Sequence, residues 1–476
     1  MTSKYIKFVK DIIWFALGNL GSKSIVFIMT PIYARYLSQD DFGKMDLINS
    51  TIALLIPLIS FKISLATFRF LVDENESKEE VVSNTVVVLI ITTIISILLF
   101  PLFEKIAFIN EFIVYFYLIL IFNIIIEVFK AYLKSCDQVK LLVFGDVIHT
   151  IIIAVSNIIL ITVMNKGIEG YFYSLITAQI AIITIYLNKS KIMKNISLKS
   201  TKFNKIKRML IFSMPLIPNS MNFWIMNASD RYILNYFLGY ASTGVYAIAY
   251  KIPTIIFVLN DIFQQGWQIA GVRTYKTKDS KDFNTTINRN TFSFLIIVVS
   301  ILIVFIKFIM KYFGGNKFYE AWMYTPLLLV STIFTAMSTF LGVAYIASKD
   351  TKGALTTSII GSIINIALNL LFIPIFGIQA AAISTLVSYF VIWLLRIFGT
   401  KKHLEIQYDW KVIIISILVV ILQVLILFYF NNNLIMQLLL FIILIIVNKE
   451  FIYTINKILN MIIKKATSYK TKINRK

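Results

Sequence analysis

Cysteine is almost missing from this chain. A single one, Cys136, cannot close an intramolecular disulfide, and it reads as a small buried side chain. Histidine is nearly as scarce. His149 and His403 stand far apart and no cysteine/histidine cluster accompanies them, which argues against a structural zinc site. No G-x-x-x-x-G-K-S/T string occurs, so the phosphate-cradling loop of nucleotide-driven machines is absent from the sequence. Charge is thin, at 15% of residues, and one sign dominates: 46 Lys and Arg against 24 Asp and Glu. No bound cofactor is expected.

What fills the chain is apolar side chain, 58% of it. A bilayer core about 30 Å thick takes roughly 20 apolar residues per helix, and about fourteen stretches qualify. They begin near Ile12, Leu47, Asn84, Phe112, Leu142, Tyr171, Met209, Val245, Phe292, Thr325, Ala354, Ala380, Val412 and Leu434. Backbone groups in hydrocarbon must be satisfied within the segment, so these are helices; a membrane barrel would show short alternating strands instead. The first run follows Lys4, Lys7 and Lys10 as a signal peptide would. It contains Asn19, Lys23 and Arg35 and lacks an evident cleavage site, so it reads as a retained helix.

A net charge of +22 invites a nucleic-acid partner, but its distribution argues for a membrane. The basic residues concentrate on alternate connections, beginning with the N-terminus and ending with the tail. Only Lys44, Lys105, Lys166, Lys307, Lys311 and Lys317 fall on the other set. This asymmetry puts both termini in the cytoplasm. The tail (Lys464, Lys465, Lys470, Lys472, Arg475, Lys476) suits anionic lipid headgroups.

The basic connection at 189–208 divides twelve helices into six and six. Internal similarity supports the cut. Phe42-Gly43-Lys44-Met45-Asp46-Leu47 opens the second helix and Thr243-Gly244-Val245-Tyr246-Ala247-Ile248 the eighth; Gly167-Ile168-Glu169-Gly170 has a counterpart in Gly377-Ile378-Gln379-Ala380. An even number of helices per repeat gives both copies one orientation, related by a pseudo-two-fold along the membrane normal. The expectation is an all-α membrane protein: an N-lobe over 1–188 (helices 1–6), a cytoplasmic linker, a C-lobe over 209–400 (helices 7–12), and over 401–476 two extra helices and the tail. Two lobes around a cleft suit alternating access.

Ionisable groups inside spans are expensive and mark candidate pathways. Lys23 falls near the midplane of the first helix at about 1.5 Å per residue. Lys62 and Arg69 lie on the second, two turns apart and so on one face. Lys251 lies on the eighth. A cationic cavity of this kind fits an anionic headgroup, and an ammonium is a good phosphate partner. The plainer reading is that Arg69 snorkels to headgroups and that the lysines serve structural partners. Among the acids, Glu127 and Asp146 lie in or near spans. Asp261 is a candidate for ion coupling, to H+ or Na+, or for a helix–helix pair. The neighbours Asp230 and Arg231 are either a local pair or an outer gate. Pro215, Pro218, Pro253, Gly18 and Gly21 punctuate the proposed cleft helices and are candidate hinges.

The run Phe212-Ser213-Met214-Pro215-Leu216-Ile217-Pro218-Asn219 leads to Asp230-Arg231-Tyr232-Ile233-Leu234 and Phe237-Leu238-Gly239. It continues through Gly244-Val245-Tyr246 and Ala249-Tyr250-Lys251-Ile252-Pro253 to Gln265-Gly266-Trp267. With Tyr36-Leu37-Ser38, Phe42-Gly43, Asn365-Ile366, Asn369, Ile373-Pro374 and Gly377, this resembles the Wzx-type polysaccharide flippases over helices one to twelve. These are the polysaccharide biosynthesis proteins, of the superfamily that also holds multidrug and toxic compound extrusion transporters and MurJ-type lipid II flippases. The resemblance implies a flippase for an undecaprenyl-pyrophosphate-linked oligosaccharide in a bacterial cytoplasmic membrane, working beside a glycan polymerase. It implies a cationic cavity that Lys23, Lys62 and Lys251 match in kind; MurJ-like proteins carry arginines there, which points away from lipid II. The rivals are a multidrug/cation antiporter, which favours acidic groups in its cleft, a spore-coat or cell-wall flippase, and a membrane-embedded glycan polymerase or ligase. The last needs a large outer loop, whereas the longest outer connections, around Lys105 and Gly314, are short.

Overall fold

The computed structural model describes residues 27–273, 280–348, 350–430, 433–454 and 456. The expectations placed on Gly18, Gly21, Lys23 and the basic tail lie outside the described residues. Every regular element among the described residues is helical. The residues 27–36 form α1, followed by α2 (Gln39–Ile59), α3 (Ile63–Val72), α4 (Lys78–Leu98), α5 (Ile113–Ser135), α6 (Val139–Asn157), α7 (Gly167–Lys189) and α8 (Phe203–Ser213). Then come α9 (Ile217–Arg273), α10 (Ser280–Val304), α11 (Ile306–Phe313), α12 (Thr325–Ser348), α13 (Thr351–Phe376), α14 (Ile378–Thr400), α15 (Trp410–Tyr429) and α16 (Leu434–Val447). Among the described residues, eleven helices are long and apolar enough to cross a membrane. Their lipid-facing stripes are legible by period: Ile90, Ile94 and Ile97 recur at helical spacing on α4 and are all exposed.

Local chemistry sets the ends. Ser38 caps α2 by accepting from the Asp41 amide at 3.0 Å, and Asp41 returns the bond, while Asp40 and Asp41 meet the positive end of the helix dipole. Within α9, Gly239 takes φ 81, a left-handed turn that only glycine adopts without cost, and it separates the expected seventh and eighth helices. Pro215 and Pro218 stand at helix starts, Pro215 in the 3-10 turn Met214–Leu216 and Pro218 as the second residue of α9, where a missing N–H costs nothing. Pro253 is the one of the three candidate hinge prolines that lies in a helix interior. The helix α6 ends in a π-helical turn, Ile158–Val163, beside which Asn157 Nδ2 donates to the Tyr33 hydroxyl at 2.7 Å.

The helices gather into two compact units. The first takes the chain up to Lys251 with Tyr312–Ala321 and Ile366–Ala381; the second takes Ile252–Lys311, Trp322–Asn365 and the chain from Ala382 onward. In the first, the basic linker is strapped to α4. Ser197 N donates to Ser83 Oγ at 2.8 Å, Lys202 N to Asn84 Oδ1 at 2.9 Å, and Lys205 Nζ reaches Glu76 at 2.5 Å and Glu80 at 2.8 Å. Burial pulls the Lys205 ammonium down, but the two carboxylates more than offset it and hold its pKa above the usual lysine value.

The same unit contains a backbone-to-backbone crossing. A Cβ on Gly43 of α2 would lie 2.0 Å from the Tyr240 carbonyl oxygen, and one on Gly244 of α9 would lie 2.1 Å from the Gln39 carbonyl oxygen. The pairs are reciprocal: Gly43 meets Tyr240 as Gly244 meets Gln39, with equal sequence offsets. A two-fold relating two repeats produces this pattern, as it does at an isologous interface.

In the second unit, α15 and α16 pack against α10 through buried amides and hydroxyls. Asn448 bridges Ser293 (2.7 Å) and Ser416 (3.0 Å), and Gln423 accepts from Ser300 at 2.8 Å while exchanging bonds with Gln437. Trp267 stacks on Phe340 at 4.2 Å and donates its indole N–H to the Phe340 carbonyl.

Candidate functional site

Two groups of charged side chains lie within the spans of the first unit, one around Asp46 in the first half of α2 and one around Lys62 just past its C-terminal end. From Asp46 to Ile59 runs roughly 20 Å of helix at about 1.5 Å per residue.

The first group lies toward the end that the charge pattern assigns to the outside. Arg231, on the first half of α9, donates from Nε to Asp46 Oδ2 on α2 at 2.5 Å, with both side chains largely buried. Its sequence neighbour Asp230 is the more distant partner, at 3.7 Å. Asp230 instead accepts from the Tyr246 hydroxyl, and the Arg231 guanidinium lies over the Tyr250 ring at 5.0 Å and donates to the Asn227 carbonyl. The adjacent pair read from the sequence is therefore part of an interhelical network, and its organising carboxylate is Asp46. Lys251 is half-buried and has Asp46 and Arg231 as its electrostatic neighbours. The structure thus brings Asp230, Arg231 and Lys251 together around Asp46. Next to them, Thr51 and the Tyr232 hydroxyl share a bond of 2.6 Å, and Trp224 donates to the Ser50 carbonyl. Asp261 is exposed and belongs to the second unit.

The second group surrounds Lys62. The expected second span is broken there: α2 ends at Ile59, α3 starts at Ile63, and Phe61 and Lys62 adopt φ 49 and φ 56. Two successive non-glycine residues in the left-handed region cost of order 1–3 kcal/mol each. The turn is held locally, with Lys62 N donating to Ser60 Oγ at 3.2 Å and Ile63 N to the Ser60 carbonyl at 2.9 Å. Irregular backbone at membrane depth persists where it is enclosed by protein or lines a cavity. Across from it on α5 stands Glu127, which accepts from Ser64 Oγ at 3.4 Å. One turn further along α5, Lys130 is committed to Asp146 of α6 at 2.6 Å. Arg69 is exposed and pairs with Asp73 at 3.6 Å, as a residue reaching for the interface would.

The second unit holds a cation that the sequence reading passed over. Arg396 donates from Nη1 to the Ser338 carbonyl at 2.7 Å, from Nη2 to Ser358 Oγ at 3.0 Å, and from Nε to Thr357 Oγ1 at 3.2 Å. No carboxylate pairs with it among the described residues. Its proximity to Lys401 and Lys402 files it with the cytoplasmic charges; the one signal against that is its place inside an otherwise apolar run. Beyond it, Asp350 caps α13 through the Gly353 amide at 3.0 Å and faces Lys402 at 3.7 Å and His403 at 3.6 Å. The Gly353 N–H, chiefly, together with Lys402 and His403 holds its carboxyl below the usual aspartate value.

The described residues contain no group of three or more His, Cys, Asp or Glu side chains able to hold a metal ion.

The model of a family described as "polysaccharide biosynthesis protein" matches residues 8–267, and that described as MatE matches residues 215–371. An uncharacterized membrane protein of Methanocaldococcus jannaschii is 23% identical over 421 residues, spanning 83% of this chain and 99% of that protein. The "probable low-salt glycan biosynthesis flippase Agl15" of Haloferax volcanii is 22% identical over 413 residues, covering 83% and 84%. Among solved structures, the lipid II flippase MurJ in an inward closed conformation superposes with a TM-score of 0.71 at 16% identity, covering 93% of this chain and 99% of that one. An inward-facing multidrug resistance MATE family transporter of the MOP superfamily gives 0.66 at 13%, covering 81% and 98%. These likenesses bear out the all-α, multi-span fold.

Proposed function

From a chain that belongs to the polysaccharide biosynthesis protein family, and so is a multi-pass membrane transporter of the superfamily that includes MurJ and the MATE proteins, we propose a specific cargo. The protein flips an undecaprenyl-pyrophosphate-linked oligosaccharide from the cytoplasmic to the outer leaflet by alternating access. The observation that carries this reading is a lysine at the break of a discontinuous span, in a chain that matches the polysaccharide biosynthesis model over more than half its length. Discontinuous helices place ligand sites at membrane depth, and an ammonium there suits a phosphate. The family likeness to a glycan biosynthesis flippase supports a lipid-linked glycan.

In this scheme the pyrophosphate enters past Arg69 and is neutralised by Lys62, with Lys23 as a further candidate. The lobes expected from the repeats then rock, with Pro253 as a candidate hinge. The network of Asp46, Asp230 and Arg231 opens as an outer gate, and Arg231 with Lys251 receives the anion before release. The polyprenyl tail stays in lipid. A bacterial cytoplasmic membrane, cytoplasmic termini and a downstream glycan polymerase complete the scheme; an H+ or Na+ gradient, with Asp261 as a coupling candidate, or product removal drives it.

The test is reconstitution in liposomes with an undecaprenyl-pyrophosphate oligosaccharide and an external glycosidase as reporter. Lys62→Ala should abolish protected-to-exposed transfer while membrane insertion stays normal. Normal transfer by that variant would remove Lys62 from the mechanism. Resistance of cells to cationic dyes on expression, without glycan transfer, would favour the antiporter.

A further inference from the structure

The carboxylates inside the spans of the first unit do not share one fate. Asp46 is locked to Arg231, Asp230 accepts from Tyr246, and Asp146 is locked to Lys130 at 2.6 Å. Glu127 is different. Its one hydrogen bond among the described residues is a long contact from the neutral Ser64 hydroxyl, at 3.4 Å. It forms no ion pair there, and neither does the Lys62 amine. Yet it is exposed on a helix that packs along α3, and Lys62, Lys130 and Lys134 are the cations that act on it. On the neighbouring α6, Lys140, Asp146 and His149 are the titratable groups; Asp146 pairs with Lys130, and His149 has Lys130 and Asp146 as its charged neighbours. So a carboxylate and an ammonium on adjoining elements face each other without the direct contact that would commit either.

We propose that Glu127 is the resident counter-anion of Lys62, held loosely enough for an entering pyrophosphate to displace it. An unneutralised ammonium at membrane depth is costly, so an empty site needs an anion of its own. A tight pair would shut the substrate out, because separating two already desolvated charges leaves the carboxylate uncompensated. A carboxylate tethered by one weak hydroxyl contact avoids both problems. It keeps the empty site balanced, yields when the phosphate arrives, and competes for Lys62 again once the cargo must leave. Release therefore becomes an intramolecular replacement, driven by a group already beside the amine. The inference deepens the proposed function and rests on it.

The experiment measures binding of undecaprenyl pyrophosphate, and of uncharged undecaprenol as control, to the purified full chain in detergent micelles by native mass spectrometry. Wild type should prefer the pyrophosphate; absence of that preference would sink the transport reading itself. Glu127→Gln should bind the pyrophosphate about tenfold tighter, within the ordinary range of site-to-site coupling, and turn over more slowly in liposomes. Glu127→Asp, which keeps the charge, should stay near wild type. In a Lys62→Gln background the Glu127→Gln gain should vanish, since the two substitutions form a cycle around one interaction. Unchanged or weaker binding by Glu127→Gln, or a gain that survives Lys62→Gln, would overturn the counter-anion role while leaving the wild-type preference standing. If the glutamine variant fails to insert, Glu127→Ala carries the same expected tightening and the same refutation.

Discussion

The crossing of α2 and α9 makes a demand that a single methyl group can test. In Gly244→Ala the new Cβ would meet the Gln39 carbonyl oxygen at 2.1 Å and the Gly43 amide nitrogen at 3.0 Å, contacts made by backbone that cannot rotate aside. To restore ordinary packing the two helices must part by about an ångström, and a close-packed interior resists such a shift. Overpacking of this kind costs about 1–3 kcal/mol, against a gain of about 1 kcal/mol from replacing glycine in a helix. Gly266→Ala, on the same helix with nothing within 4 Å of its Cβ, isolates the second term and should be neutral or slightly stabilising. Thermal unfolding in detergent, followed by loss of the monodisperse peak, should therefore rank Gly266→Ala at or above wild type and Gly244→Ala several degrees below. Gly43→Ala, blocked by the Tyr240 carbonyl oxygen at 2.0 Å, should match Gly244→Ala. The double variant should cost little more than either, because one separation relieves both clashes. Wild-type melting by Gly244→Ala, or fully additive losses in the double variant, would refute the close approach.

Asp46→Asn strands a buried guanidinium and should destabilise by about 3–5 kcal/mol, whereas Arg231→Leu combined with Asp46→Leu should recover much of that; thermal melts of the two variants beside wild type check it. Arg396→Lys exchanges a fork that reaches three oxygens for a point charge, and should lower the melting temperature even though charge is conserved. Asp350 has a carboxyl held below its ordinary value of 3.8, so the folded state binds that proton less readily than the unfolded chain does. Its stabilisation is complete above 3.8 and drains as pH falls through the depressed value, and Asp350→Asn should flatten that acid limb of a pH–melting profile.

The spans were legible because hydrocarbon leaves a helix no choice but apolar side chains, and the repeat was legible in Phe42-Gly43 and Thr243-Gly244. That those two glycines touch each other was not, since spacing does not report which faces meet. Lys62 stood out as a deep charge, but nothing at Phe61-Lys62 announces a left-handed break. Neither residue is the glycine or asparagine that such a turn favours, and tertiary surroundings impose it. Asp46 was visible only as a letter in a repeated string, because its role depends on a residue nearly two hundred positions away. Arg396 was hidden by position, close enough to Lys401 and Lys402 to pass for a loop charge.

Where two chain segments meet without side chains between them, no interdigitated side chains at that point have to disengage before one tilts over the other. The contact of Gly43 with Tyr240 and of Gly244 with Gln39 is such a bearing. A rotation about it slides amide past amide and leaves no knob stranded in a foreign hole. The Asp46–Arg231 ion pair lies within a turn of Gly43, where leverage is shortest. A small swing there would lengthen that pair by little, while the far ends of the same helices travel much further.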